Sequence, residues 1–288
     1  MKATDTSDKR CASRDDGHVP TGAFYFPVET VEQTRTFAFL LLPGFTLLAF
    51  SSAVEPLRIA NQLAQKPLYQ WVIMSEDGFP VRSSSGIEVS VDVPLTELDS
   101  SLHLLVCSGI DGRSAASNKT LSSLRLHATT GGKVGSICTG AVTLARAGLL
   151  RDSVFTLHWE NQPAFEENFP MLTPSRRLFE VDGSLFTCGG GAAATDMMLW
   201  VIARDLGDDF AIAVSDMCLR GGGLETRPEQ RSSIATAIVT RNPRIVQIVR
   251  EMHENLEDPL TLEQLAQNAN CSRRQMERSF QKVLSLTP

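Results

Sequence analysis

With 288 residues, 42% of them hydrophobic and 21% charged, and a net charge of −6, the chain has room for one large or two ordinary domains and the composition of a soluble globular protein. Its longest apolar stretch, Phe37 to Phe50, is broken by Pro43-Gly44 and is too short to cross a bilayer, and its first thirty residues hold no apolar core of a secretory signal. The six cysteines, Cys11, Cys107, Cys138, Cys188, Cys218 and Cys271, form no CxxC pair; this fits a reducing cytoplasm and excludes a disulfide scaffold or a zinc site as the organising principle.

Residues 1–34 are expected to be a disordered polar arm, with Phe24-Tyr25-Phe26 tacking its end to the body. From residue 36, strands and helices alternate. Thr36 to Leu42 is a continuous apolar run, as in a buried parallel strand, and Pro43-Gly44 turns it into a helix reaching about Ala64. Tyr69 to Ser75 is the next strand, and Val81 to Val93 alternates around Gly86 like a hairpin. His103 to Cys107 is a buried strand, followed by a polar helix ending at Thr129. Val134 to Ile137 is a strand, Thr139 to Ala147 a helix, Ser153 to Leu157 and Leu178 to Cys188 further strands, and Ala192 to Leu206 a helix. This is the pattern of a three-layer α/β domain with a mostly parallel sheet over 35–220. Gly221-Gly222-Gly223 opens a linker, 221–241.

Within that body, Ser136-Ile137-Cys138-Thr139-Gly140 places a cysteine at a strand-to-helix turn between small residues, as a nucleophile elbow requires. A helix N-terminus favours thiolate there, and His158, beyond the next strand, is within plausible reach. Cys138 and His158 are therefore the alternative catalytic pair, against a reading in which a small residue merely packs at a crowded turn. His158-Trp159-Glu160 sets an aromatic ring beside a carboxylate, a pair able to hold a cationic ligand, or equally a core Trp at a strand end. Glu55, before Pro56 in the first helix, is either a ligand contact or a structural carboxylate. Gly189-Gly190-Gly191 precedes a helix and serves either an anion or a tight packing turn.

Residues 242–288 read as a helical unit. Ile245, Ile248, Val249, Met252 and Leu256 line one face of a bracing helix. Thr261 and Gln264 fit a capping box, Leu262, Leu265, Ala266 and Ala269 recur at helical spacing, and Asn270 suits a left-handed turn. Ser272 and Gln275 form a second box, with Met276, Phe280 and Val283 inside. Ser272, Arg273, Arg274, Gln275, Arg278 and Lys282 lie on or beside the outer face, where a recognition helix would meet bases and phosphates. From Cys271 to Pro288 there are four Arg or Lys and one Glu, a local +3 on an acidic chain. A three-helix bundle with a solvated basic face is the plain alternative.

The motifs just quoted carry two resemblances. Leu265-Ala266, Ser272-Arg273-Arg274-Gln275-Met276, Arg278-Ser279-Phe280 and Leu286-Thr287-Pro288 resemble the AraC-type DNA-binding domain, of which this stretch matches the first of two helix-turn-helix units. The second unit is expected to be missing, with much of the DNA affinity. Leu42-Pro43-Gly44-Phe45, Glu55-Pro56-Leu57-Arg58, the run Gly135 to Ala141, the run Leu144 to Leu150, His158-Trp159-Glu160 and Gly189-Gly190-Gly191 before Thr195-Asp196 resemble the PfpI-like branch of the class I glutamine amidotransferase-like superfamily. Together they resemble the GlxA family of AraC-type regulators. That resemblance implies a dimeric cytoplasmic transcription regulator that binds promoter DNA, senses a small nitrogenous effector of betaine, carnitine or amino-acid type, and is not an enzyme. Ligand contacts would come from Cys138, Thr139, His158, Trp159, Glu160 and Glu55. No metal or cofactor is expected. The alternative is a cysteine hydrolase or isonitrile-hydratase-like enzyme. Against it, Thr139 stands where hydrolytic relatives often carry His, and Thr46-Leu47-Leu48-Ala49 supplies no carboxylate near the thiol.

Overall fold

The computed structural model describes residues 19–28, 33–110, 112, 115–220, 229–230, 242–256, 258–284 and 286–288. The chain divides into two compact units, Met1–Gln230 and Arg231–Pro288.

The first unit is built on β1 (Arg35–Leu41), a strand apolar on both faces. Phe37, Phe39 and Leu41 pack with α1 (Leu47–Ala64), α5 (Ala193–Leu206) and α6 (Asp208–Met217). Ala38 and Leu40 pack on the opposite side with α2 (Asn118–Thr129), α3 (Gly140–Ala147) and α4 (Gln162–Asn168). The two-residue period of a strand thus feeds both layers, and burying each Phe contributes about 1.5–3 kcal/mol. Around β1 the sheet runs β5 (Val93–Pro94), β2 (Tyr69–Ser75), β1, β6 (His103–Cys107), β7 (Lys133–Ile137), β9 (Leu185–Cys188), β8 (Phe179–Asp182). Only β8 pairs antiparallel, with β9. The order reverses between β1 and β6, so the crevice beyond their carboxyl ends is where an open α/β sheet binds ligands. β3 (Val81–Arg82) and β4 (Glu88–Val89) form the expected hairpin beside the sheet.

Two expectations need correction. Ser153 to Leu157 is not a strand: Thr156 makes only an isolated bridge to Ser175. Side chains take its backbone donors instead, Val154 N–H going to Asp182 Oδ2 at 2.9 Å and Thr156 N–H to Thr187 Oγ1 at 3.0 Å. Of the aromatic trio, Phe26 alone tacks the arm down, its ring edge-on to Phe210 at 5.4 Å and its N–H donated to Leu63 O, while Phe24 and Tyr25 are exposed. The linker expected at 221–241 lies mostly outside the described residues, but its Glu229 bridges Arg177 and its Gln230 N–H reaches Arg176 O at 2.7 Å, within the first unit.

In the second unit, helices Pro243–Glu254, Leu262–Asn268 and Arg273–Leu284 enclose Ile245, Ile248, Leu265, Ala266, Ala269, Met276 and Phe280. Asn242 caps the first of them, accepting from Arg244 N–H and Ile245 N–H. Thr261 and Gln264 make both bonds of their capping box. Ser272 and Gln275 do the same: Ser272 N–H donates to Gln275 Oε1 at 3.0 Å, and Gln275 N–H to Ser272 Oγ at 3.3 Å. Asn270 holds φ +51°, the left-handed turn between the last two helices. Leu256 and Val283, expected inside, are exposed. Leu256 follows the end of its helix, and Leu284 rather than Val283 packs on the core.

Candidate functional site

The elbow forms where β7 ends. Cys138 has φ +60°, a left-handed conformation that costs a non-glycine residue about 1–2 kcal/mol. Close neighbours force it. A Cβ on Gly140 would stand 2.1 Å from Val106 O, and one on Gly190 would stand 2.7 Å from Cys138 Cβ. Cys138 N–H donates to Cys188 O at 3.0 Å, tying the turn to β9. The Gly189-Gly190-Gly191 run is therefore the wall of the elbow, which is the packing reading of those glycines.

The thiol is 7% exposed, and its side-chain contact is the Thr46 hydroxyl, at 3.8 Å from Sγ. Burial pushes the Cys138 thiol up; the Thr46 hydroxyl and the Thr139 backbone N–H oppose this without cancelling it. Desolvation at this site thus works against the thiolate that a helix N-terminus favours. Thr139 turns away, its hydroxyl donating to Gly109 O at 2.6 Å, which clamps the elbow to the end of β6.

Among the described residues no hydrogen bond joins His158 to Cys138. Its Nδ1 lies 3.9 Å from Glu160 Oε2, its ring leans on Trp159 with centroids 5.5 Å apart, and burial holds its pKa below the usual value despite Glu160. The three residues form a turn: Trp159 to Asn161 is a short 3-10 helix, and Glu160 is exposed yet close enough to raise the thiol slightly. Glu55 is not brought to this cluster by any contact. It pairs with Arg58 at 2.6 Å on the exposed face of α1.

Sequence reasoning missed two polar partners. Thr46 occupies the region examined only for a missing acid, and nothing marks a lone Thr as a thiol contact. Gln230 lies in what read as linker, yet its carboxamide accepts Trp159 N–H at 2.8 Å and donates to Leu157 O at 2.9 Å. Among the described residues no group of three His, Cys, Asp or Glu side chains could hold a metal, and no helix is long and apolar enough to cross a membrane.

On the second unit, Arg274, Arg278 and Lys282 are exposed at four-residue spacing along helix Arg273–Leu284. Among the described residues they make no ion pair. Arg273 differs: it reaches Glu277 at 2.8 Å and Glu263 at 2.6 Å, which answers its charge within the unit. Gln275 spends its Oε1 on the cap, leaving its amide N–H groups outward-facing. Ser272 is likewise committed to capping.

Comparison with known proteins gives the following. Residues 35–204 match the DJ-1/PfpI family, and residues 252–288 match bacterial regulatory helix-turn-helix proteins of the AraC family. The HTH-type transcriptional regulator GbdR of Pseudomonas aeruginosa is 39% identical over 254 residues, 88% of this chain and 69% of that protein. The HTH-type transcriptional regulator CdhR of the same organism is 40% identical over 255 residues, 88% of this chain and 76% of that protein. Among solved structures, an AraC family transcriptional regulator from Pseudomonas putida superposes with a TM-score of 0.57 at 28% identity, covering 64% of this chain and 99% of that one.

Proposed function

Since the chain belongs to the family of transcriptional regulators that join a DJ-1/PfpI domain to an AraC-type helix-turn-helix, we propose that its α/β unit, 35–220, senses a small nitrogenous metabolite at the elbow and that its helical unit, 242–288, reads promoter DNA. One observation carries the DNA half. Arg274, Arg278 and Lys282 form a cationic stripe, in no ion pair among the described residues, on the second helix of a helix-turn-helix, the helix that enters the major groove. Arg274 and Gln275, nearest the helix start, take the base edges; Arg278 and Lys282 take phosphates. Arg273 joins them only by leaving Glu263 and Glu277.

The sensing half rests on what the elbow lacks for catalysis and keeps for binding. A buried thiol pushed up and a His turned toward Glu160 speak against nucleophilic attack. The Trp159 ring and the exposed Glu160 carboxylate suit a quaternary or guanidino nitrogen, with Cys138 and His158 beside them, while Thr139, bonded to Gly109 O, braces the elbow instead of meeting the ligand. Glu55, paired with Arg58, serves the α1 surface and not the ligand. Two copies of the chain would bring two helix-turn-helix units to two half-sites in the cytoplasm.

The test is binding of the purified chain to its own upstream promoter DNA by fluorescence anisotropy. Preference for that duplex over a scrambled one, changed by glycine betaine, carnitine or arginine, is expected. Equal binding to both duplexes would remove the regulator reading.

A further inference from the structure

The boundary between the two units falls immediately after Gln230, and Gln230 is bonded more heavily into the elbow region than a passing residue needs to be. Its Nε2 lies 2.9 Å from Leu157 O, 3.0 Å from Thr156 Oγ1 and 3.0 Å from Arg177 O. Its Oε1 accepts Trp159 N–H at 2.8 Å. Two amide hydrogens serve three acceptors, so one is shared. The Thr156 hydroxyl is free to accept because its own hydrogen goes to Ser175 O or Arg177 O. The backbone adds a bond from Gln230 N–H to Arg176 O and a bridge between Arg177 and Glu229. A Cβ on Gly189 would stand 2.7 Å from the Gln230 carboxamide, so that glycine makes room for it. The next glycine, Gly190, touches Cys138.

The Gln230 side chain thus brackets His158, bonding Leu157 O before it and Trp159 N–H after it, at the entry of the turn that presents His158, Trp159 and Glu160; Gln162 Nε2 shares Leu157 O at 3.2 Å. We infer that Gln230 is a latch: its carboxamide positions that turn, and a ligand that moves the turn releases the chain entering the helix-turn-helix unit. The inference rests on the sensing reading for what moves the turn. The latch itself stands on the bonds of Gln230 alone. Coupling of this kind is reciprocal: whatever loosens the turn must loosen Gln230, and the reverse.

Hydrogen exchange on the full chain tests it, comparing wild type with Gln230→Ala and with Thr156→Val. Gln230→Ala is expected to speed exchange of Leu157–Asn161 at least about tenfold, and Thr156→Val to speed exchange of Glu229–Gln230, with β1 protection unchanged. Gln230→Glu keeps the acceptor for Trp159 N–H but loses both donors, so it should fall between wild type and Gln230→Ala. In anisotropy, Gln230→Ala should shift promoter affinity by about fivefold or more without added ligand. Loss of protection at one end only, or equally in β1, would overturn the latch. So would a loosened turn with promoter affinity unchanged, because Gln230 would then be a structural staple. If the wild-type chain binds no promoter, the regulator reading falls, and the exchange reciprocity still decides the latch.

Discussion

Arg278→Ala separates a DNA-reading helix from a merely solvated basic one. The three cations at 274, 278 and 282, in no ion pair among the described residues, are spaced four residues apart, about 6 Å along the helix. If Arg278 and Lys282 each neutralise one phosphate, together they give a salt slope of about −1.8 per subunit, or about 12-fold in affinity between 50 and 200 mM salt. Arg278→Ala should reduce the slope by about 0.9, so that over the same range the variant loses about 3.5-fold less than wild type. Arg273→Ala is the internal control. Its charge is already answered by Glu263 and Glu277, so the slope should change little even if freed carboxylates weaken binding. The assay is anisotropy with promoter duplex across a potassium chloride series. A slope reduced as much by Arg273→Ala as by Arg278→Ala would refute the assignment, since it would mean the ion pairs open at no cost and the face is read differently.

Four further outcomes follow from the geometry. At pH 7 Cys138 should alkylate with iodoacetamide more slowly than Cys271, read by mass spectrometry; faster labelling would restore the enzymatic reading. Gly140→Ala forces a Cβ against Val106 O in the sheet centre and should cost about 1–3 kcal/mol, lowering Tm by about 3–10 °C; a Tm within a degree of wild type would show that the elbow yields. Thr261→Ala removes half of the capping box and should destabilise the helical unit by about 1 kcal/mol in its own urea transition. His103 is buried against Phe37 and Phe186, and burial and then the Arg35 guanidinium lower its pKa to about 3 against an opposing contact with the Val134 backbone. The unfolded chain therefore binds a proton that the folded one refuses between about pH 6.5 and 3, so stability is kept above that window and falls on acidification through it by up to about 1.4 kcal/mol per unit. His103→Phe should flatten this slope in urea titrations at several pH values.

The strands that build the sheet centre were legible because both layers draw on them. Tyr69–Ser75 and His103–Cys107 are bounded as their apolar runs predict, since both are central strands of the parallel sheet whose middle positions are apolar. Ser153 to Leu157 misled for the same reason: its apolar residues Phe155 and Leu157 are buried, but its donors go to Asp182 and Thr187 side chains that no local pattern announces. The elbow was legible from small residues around Cys138, while the protonation of its thiol was not. A helix N-terminus is visible in sequence; a pocket that excludes water from Sγ is made by Thr46 and Gly190, each about fifty or more residues away or more. The helical unit was read from its caps, which are contacts of three residues or fewer, but the pairing of Arg273 with Glu263 crosses between helices.

The elbow's strain makes sense without chemistry. A left-handed non-glycine residue persists only where its surroundings over-determine it, and here Cys188, Gly140 and Gly190 do so. A hydrolase uses that rigidity to aim a thiolate. In this chain the same rigidity fixes one wall, Gly190, while the adjacent glycine, Gly189, accommodates Gln230, whose bonds hold the opposite turn. A ligand contact that moves this turn therefore acts on Gln230, which shares Leu157 O with the Gln162 side chain. Thr46→Val separates the two uses. It removes the hydroxyl that opposes the raised thiol, so it should slow any thiol chemistry further, while leaving Trp159 protection in hydrogen exchange untouched. A loss of Trp159 protection in Thr46→Val would mean that wall and turn move together, and the elbow would no longer be the fixed side of the site.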